Sequence, residues 1–265
     1  MSEIREMSEL VFSARTRYSN VYINQHENEL HLKFDADSRA VQSVIDINQP
    51  YSINMENLQY LMGILMFIPP PERILILGIG GGTMVHFFRH HFPDCDITGV
   101  DMDEELIDIA HQHLMLPPAS DNTHYIYQDA QQFITETGQQ FDLVVVDIFD
   151  GSESPNWIKT LQTAQQLSTM LTIKGAIAYN LLVESDKEFA HFYAQLREQF
   201  NQQTLCLESD ENENILVYAL NFQVPQNSFT ENIQRAQEVS GKYSIPMTEI
   251  LSVIYSINPV DSGVI

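Results

Sequence analysis

Arg73-Ile74-Leu75-Ile76-Leu77-Gly78-Ile79-Gly80-Gly81-Gly82-Thr83 is the stretch on which the fold turns. Ile74 to Leu77 shows no polar alternation, as befits a strand buried on both faces. The glycines that follow leave the backbone bare. Behind them a helix is expected from Thr83 to His91, and its free amides favour electron-rich groups. A dinucleotide-binding loop carries glycine at its sixth position, where this chain has Thr83. The observed Gly78-x-Gly80-x-Gly82 order suits an adenosyl-sulfonium site better. For such a loop standing alone, a tight turn that binds nothing is an equal reading.

Toward the C-terminus, strands and helices alternate. Strand Ile97 to Val100 ends at Asp101, and helix Glu104 to Leu114 follows, with Leu106, Ile107, Ala110 and Leu114 on one face. Strand His124 to Gln128 ends at Asp129, and strand Leu143 to Val146 ends at Asp147. Helix Ile158 to Leu171 leads to strand Ala176 to Leu182. Ser185 and Glu188 have the spacing of a capping box and open a further helix. Strands Thr204 to Leu207 and Ile215 to Leu220 lie too close together for a crossover, so they form an antiparallel hairpin at a sheet edge. This order predicts a doubly wound, mostly parallel seven-stranded sheet.

Toward the N-terminus, residues 18 to 47 alternate in strand fashion, which predicts a small antiparallel sheet. A helix from Asn54 to Phe67 is stopped by Pro69-Pro70-Pro71. The expected division is an N-terminal β-region over 1–53, a ligand-binding α/β domain over 54–227 and a helical tail over 228–265.

Four adjacent strand ends carry glycines or an acid, and ligands of open α/β sheets bind at such ends. Asp101 can accept the two hydroxyls of a ribose, unless it caps the next helix, a role open also to Asp103. Asp129, with Ala130, can accept an adenine amino group, and Asp147 faces the same crevice. Gly78, Gly80 and Gly82 complete the cofactor site. Trp157 could lid the pocket or pack in the core. His86 and His90 lie one helical turn apart, but no third ligand is evident. They are expected at the surface, and no metal is expected.

The chain has 265 residues, 13 basic and 36 acidic, for a formal net charge of -23. Such a chain repels phosphate, which argues against nucleic acid as a partner. An acidic surface attracts polycations, although solubility alone accounts for it. No apolar run is long enough to span a bilayer, and the N-terminus lacks the pattern of a signal peptide. Cys95 and Cys206 fit no metal spacing and read as reduced thiols, so a cytoplasmic protein is expected. The sequence permits a homodimer and specifies no interface for one.

Asp147-Ile148-Phe149-Asp150 after the fourth parallel strand, the glycine loop and the N-terminal β-region together resemble the spermidine synthases. Those enzymes share the sheet of the S-adenosylmethionine-dependent methyltransferases. Phe34-Asp35 through Val41-Gln42-Ser43 resembles a family segment whose glutamine lies near the cofactor, which points to Gln42. The likeness spans roughly residues 18 to 220. It implies aminopropyl transfer from decarboxylated S-adenosylmethionine to an amine, with methylthioadenosine as product. Asp147 would then be the catalytic base and Asp150 would hold a cationic group of the acceptor.

Two departures are visible. The family carries an aspartate inside its glycine loop, which binds the amino group of the aminopropyl tail, and this chain has Gly81 there. A Tyr-His-Glu stretch of the family falls near Asn57-Leu58-Gln59. These changes open two other readings. One is a methyltransferase using S-adenosylmethionine and releasing S-adenosylhomocysteine. The other is an adenosyl-binding protein without turnover.

Overall fold

The computed structural model describes residues 8–36, 40–149, 153–209, 214–259 and 262–265. A four-stranded antiparallel sheet comes first, in the order β1 (Glu9–Arg15), β2 (Asn20–His26), β3 (Glu29–Lys33) and β4 (Ser43–Asp46). Its inner face is set by alternation: Val21, Ile23, Leu32 and Ile45 are fully buried. Strand β1 has no counterpart in the sequence reading. As an edge strand it leaves Leu10 and Val11 exposed and so lacks the alternation that marks a half-buried strand.

Helix α1 (Glu56–Met62) and a 3-10 turn (Gly63–Met66) lead into the central sheet. Its parallel strands are β5 (Arg73–Leu77), β6 (Asp96–Asp101), β7 (Thr123–Tyr127), β8 (Phe141–Val146) and β9 (Leu171–Leu181). Strands β10 (Thr204–Glu208) and β11 (Ile215–Leu220) add the expected antiparallel edge, giving the order β10-β11-β9-β8-β5-β6-β7. Strand β9 begins five residues before the expected Ala176, because Leu171 already pairs with Phe141 across a register shift.

Alternate residues of each central strand feed two separate cores. Ile74 and Ile76 face one, with Leu143, Val145, Ala176 and Ala178. Leu75 and Leu77 face the other, with Val144, Val146, Ile177 and Tyr179. The first face is covered by the N-terminal sheet, by α1, and by α2 (Thr83–His91) and α3 (Glu104–His113). It is also covered by the tail helices α7 (Phe229–Tyr243) and α8 (Met247–Ile257). The second face is covered by α4 (Ala130–Glu136), α5 (Leu161–Thr169) and α6 (Asp186–Gln199). The short α4 was not anticipated, since seven residues span too few turns to show a period. At α6, Ser185 accepts from the Glu188 amide as expected, but the Glu188 carboxylate accepts from the Glu184 amide, so the capping box does not close. Among the described residues, no helix is long and apolar enough to cross a membrane.

Candidate functional site

Strand β5 pairs with β6 on one side and β8 on the other, so the loop after Leu77 lies between the ends of those two strands. The Gly78 amide donates to the Val100 carbonyl, and the Asp147 amide donates to the Leu77 carbonyl. These bonds hold the glycine loop, Asp101 and Asp147 at one sheet edge. Gly78 sits at φ +89°, and an added Cβ would overlap the Asp147 carbonyl oxygen. Only glycine meets both demands.

Asp101 accepts from the Ile79 amide at 2.9 Å and from the Gly80 amide at 3.4 Å through Oδ2, and from the Asp103 amide at 3.0 Å through Oδ1. Burial pushes its carboxyl above the usual range, and these amides partly offset that push. The helix cap goes to Asp103, whose Oδ1 accepts from the Leu106 amide and whose Oδ2 accepts from Thr16 at 2.6 Å. Asp129 is the exposed N-cap of α4. Its Oδ1 takes the amides of Gln131 and Gln132, and buried Ala130 follows.

Asp147 follows the last residue of β8. Its Oδ1 accepts from Asn180 Nδ2 at 2.8 Å, and Asn180 Oδ1 accepts from Asn214 Nδ2 at 2.8 Å. Asp147 keeps some contact with solvent, but burial of its carboxyl pushes it up to about 6, and the Asn180 bond acts in the opposite direction. Asp150 lies outside the described residues. Trp157 is half-buried against the second core, and its carbonyl accepts from Thr160 and Thr163.

The N-terminal sheet reaches the loop through the residue after Gln42. Ser43 Oγ accepts from the Gly81 amide at 3.0 Å, and Thr83 donates to the Val44 carbonyl at 3.4 Å. A Cβ on Gly81 would stand 2.6 Å from Ser43 Cβ and 2.8 Å from its Oγ. Sequence reading could not find Ser43, Asn180 or Asn214, because each meets its partner across more than thirty residues. Asn57 Oδ1, on the helix that packs against β9 and β11, is buried with no hydrogen-bond partner among the described residues.

Of the two histidines, His90 is exposed as expected and His86 is not. His86 is buried and bonded through Nε2 to the Leu114 carbonyl, and burial lowers its pKa. His90 stacks on Tyr51, with ring centroids 3.6 Å apart. Helix α2 packs on β4 and β6, which covers His86 but not His90 at the helix end. Among the described residues, no group of three or more His, Cys, Asp or Glu side chains is placed to hold a metal.

Residues 74–169 match a family model described as a methyltransferase domain. A polyamine aminopropyltransferase of Chromobacterium violaceum is 24% identical over 226 residues, 85% of this chain and 86% of that protein. Among solved structures, a probable spermidine synthase from Corynebacterium glutamicum superposes with a TM-score of 0.73 at 17% identity, covering 93% of this chain and 94% of that one. A spermidine synthase in complex with the transition-state analogue AdoDATO gives a TM-score of 0.64 at 11% identity, covering 93% and 85%. The resemblance drawn from the motifs is borne out, as is the seven-stranded fold.

Proposed function

We propose, from its kinship with the polyamine aminopropyltransferases, that this chain transfers an aminopropyl group from decarboxylated S-adenosylmethionine to an amine. The observation that carries this reading is Asp147, whose backbone abuts the glycine loop at the end of β8 and whose carboxylate is made more basic by burial. An amine attacks the carbon beside the sulfonium. The C–N bond forms, the C–S bond breaks with its electron pair retained on sulfur, and a proton leaves the nitrogen. Asp147 accepts that proton. An ordinary aspartate near pKa 4 faces an ammonium near 10, and raising the carboxyl to about 6 narrows the gap by about two of those six units.

The residues present suit an adenosyl group. The loop of Gly78, Gly80 and Gly82 would hold it, with Gly80 leaving the backbone most open, and Asp101 would offer a carboxylate to the ribose. Asp129 with Ala130 would border the adenine, and Gln42, next to Ser43, would approach from the N-terminal sheet. The bound cofactor would supply a sulfonium, a leaving group that needs no protonation. Positioning is then most of the task left to the protein. Asn57 Oδ1, buried and unpartnered among the described residues, suits an N–H donor of the acceptor. Asp150 is assigned on sequence alone to a second cationic group of that acceptor, and Trp157 to its flank. A formal charge of -23 draws such cations toward the protein.

Adenosyl ligands should raise the melting temperature and NAD should not. At a hundred times its dissociation constant, methylthioadenosine adds about 2.7 kcal/mol, or roughly 5–10 °C for a chain of this size. Failure of methylthioadenosine and both forms of the cofactor to shift melting at millimolar levels would refute the site. The acceptor is then sought by mass spectrometry, with putrescine, cadaverine and spermidine as candidates.

Gly81 separates the aminopropyl from the methyl reading. Gly81→Asp alone should destabilise by about 1–3 kcal/mol, because its Cβ meets Ser43 at 2.6 Å. Ser43→Gly in the same chain should recover part of that loss. The double variant should also bind decarboxylated cofactor about tenfold or more tightly than wild type, through one charge-assisted hydrogen bond. A gain for the carboxyl-bearing form instead would favour methyl transfer.

A further inference from the structure

We propose that Asn180 is the positioning residue for the Asp147 carboxylate, and that Asn214 holds Asn180 in the amide orientation this requires. The inference rests on the assignment of Asp147 as proton acceptor and adds what aims it. Asn180 is 1% exposed and lies on β9, beside β8, whose last residue Asp147 follows. Among the described residues it is the one side-chain donor to that carboxylate.

The direction of the chain follows from charge. An ionised carboxylate only accepts, so Asn180 must turn Nδ2 toward Asp147. Its Oδ1 then faces Asn214, which must present its own Nδ2, and both contacts measure 2.8 Å. A flip of Asn180 alone would set oxygen against carboxylate and amide nitrogen against amide nitrogen. Two bonds would be lost in a buried site. Asn214 is itself anchored. Its carbonyl accepts from the Ser209 amide at 3.0 Å, and Ser209 Oγ donates to Glu56 on α1 at 2.5 Å. The relay thus ties α1 and the antiparallel sheet edge to the reacting group. With Oδ1 engaged, Oδ2 is left for the amine proton.

The test reads Asp147 directly. Aspartate carboxyl carbons are labelled and titrated by NMR, and the Asp147 signal is assigned by its loss in Asp147→Asn. In Asn180→Leu the midpoint should rise by about one pH unit or more above wild type, since a bond to the charged form is lost. Asn214→Ala should shift it in the same direction by less. A purely structural Asn180 would lower the melting temperature and leave the midpoint in place. That outcome in folded Asn180→Leu overturns the proposal. Should Asn180→Leu not fold, an unmoved midpoint in Asn214→Ala overturns it. Calorimetry with methylthioadenosine should give similar affinities for all forms. If no acceptor yields product, the transfer reading falls while the titration still judges Asn180.

Discussion

Asp147→Asn lowers the turnover number by roughly two to four orders of magnitude, about 3 to 5 kcal/mol of barrier, and leaves adenosyl binding nearly intact. The amide keeps the side chain's size and still accepts from Asn180 through its oxygen, so the surrounding structure has no reason to move. What it loses is the capacity to take a proton. The same substitution should make the fold more stable. The folded-state value of about 6 lies above that of an unfolded aspartate, so ionisation costs stability. That cost is absent below pH ~4, grows between about 4 and 6, and is full above 6. Allowing for partial contact with solvent, Asp147→Asn should gain about 1–2 kcal/mol at pH 7 and nothing at pH 3. Wild-type kcat/KM should fall on the acid side with a midpoint near 6, and thermal melts at the two pH values check the stability half. Turnover equal to wild type would show that another group takes the proton.

Gly78→Ala should cost about 3 kcal/mol or more of stability and weaken adenosyl binding at least about tenfold. Two penalties coincide there. The residue holds φ +89°, and its new methyl would overlap the carbonyl oxygen of Asp147 while meeting the carbonyl carbon at 2.9 Å. Backbone cannot step aside as a side chain can, so β5 and β8 must separate where the loop meets Asp147. Gly80→Ala is the control. It too sits at positive φ, +54°, but among the described residues its methyl meets only Ser43 Oγ, at 3.4 Å. A cost of about 1 kcal/mol is expected, from the left-handed backbone alone. Denaturant melts of the two variants decide the matter, and equal stabilities would mean that the close approach to Asp147 is not what demands glycine.

Much of the site was legible because its signals are local. Buried parallel strands show as continuous apolar runs, and the residue after each run marks the edge where ligands sit. Gly78, Asp101, Asp129 and Asp147 all fall at such ends, and the structure places each there. Asp129 shows the limit of that reading, since the carboxylate at that strand end also caps a helix too short to be foreseen.

By itself, then, the sequence determined which strands form the central sheet, that its last pair turns antiparallel, and which acids stand at the carboxyl ends of its strands. These follow from periodicity, glycine and chain length between elements, all of which act over a few residues. Tertiary structure alone decided that β1 joins the N-terminal sheet and that His86 is buried. It also decided that Ser43 fills the space beside Gly81, and that Asn214 and Asn180 stand in line behind Asp147. Those outcomes depend on contacts between distant segments, whose partners are chosen by the docking of one sheet on a loop and of one strand on its neighbour. No pattern within a single segment encodes such a choice, because a lone serine or asparagine has the same local preferences wherever its partner lies.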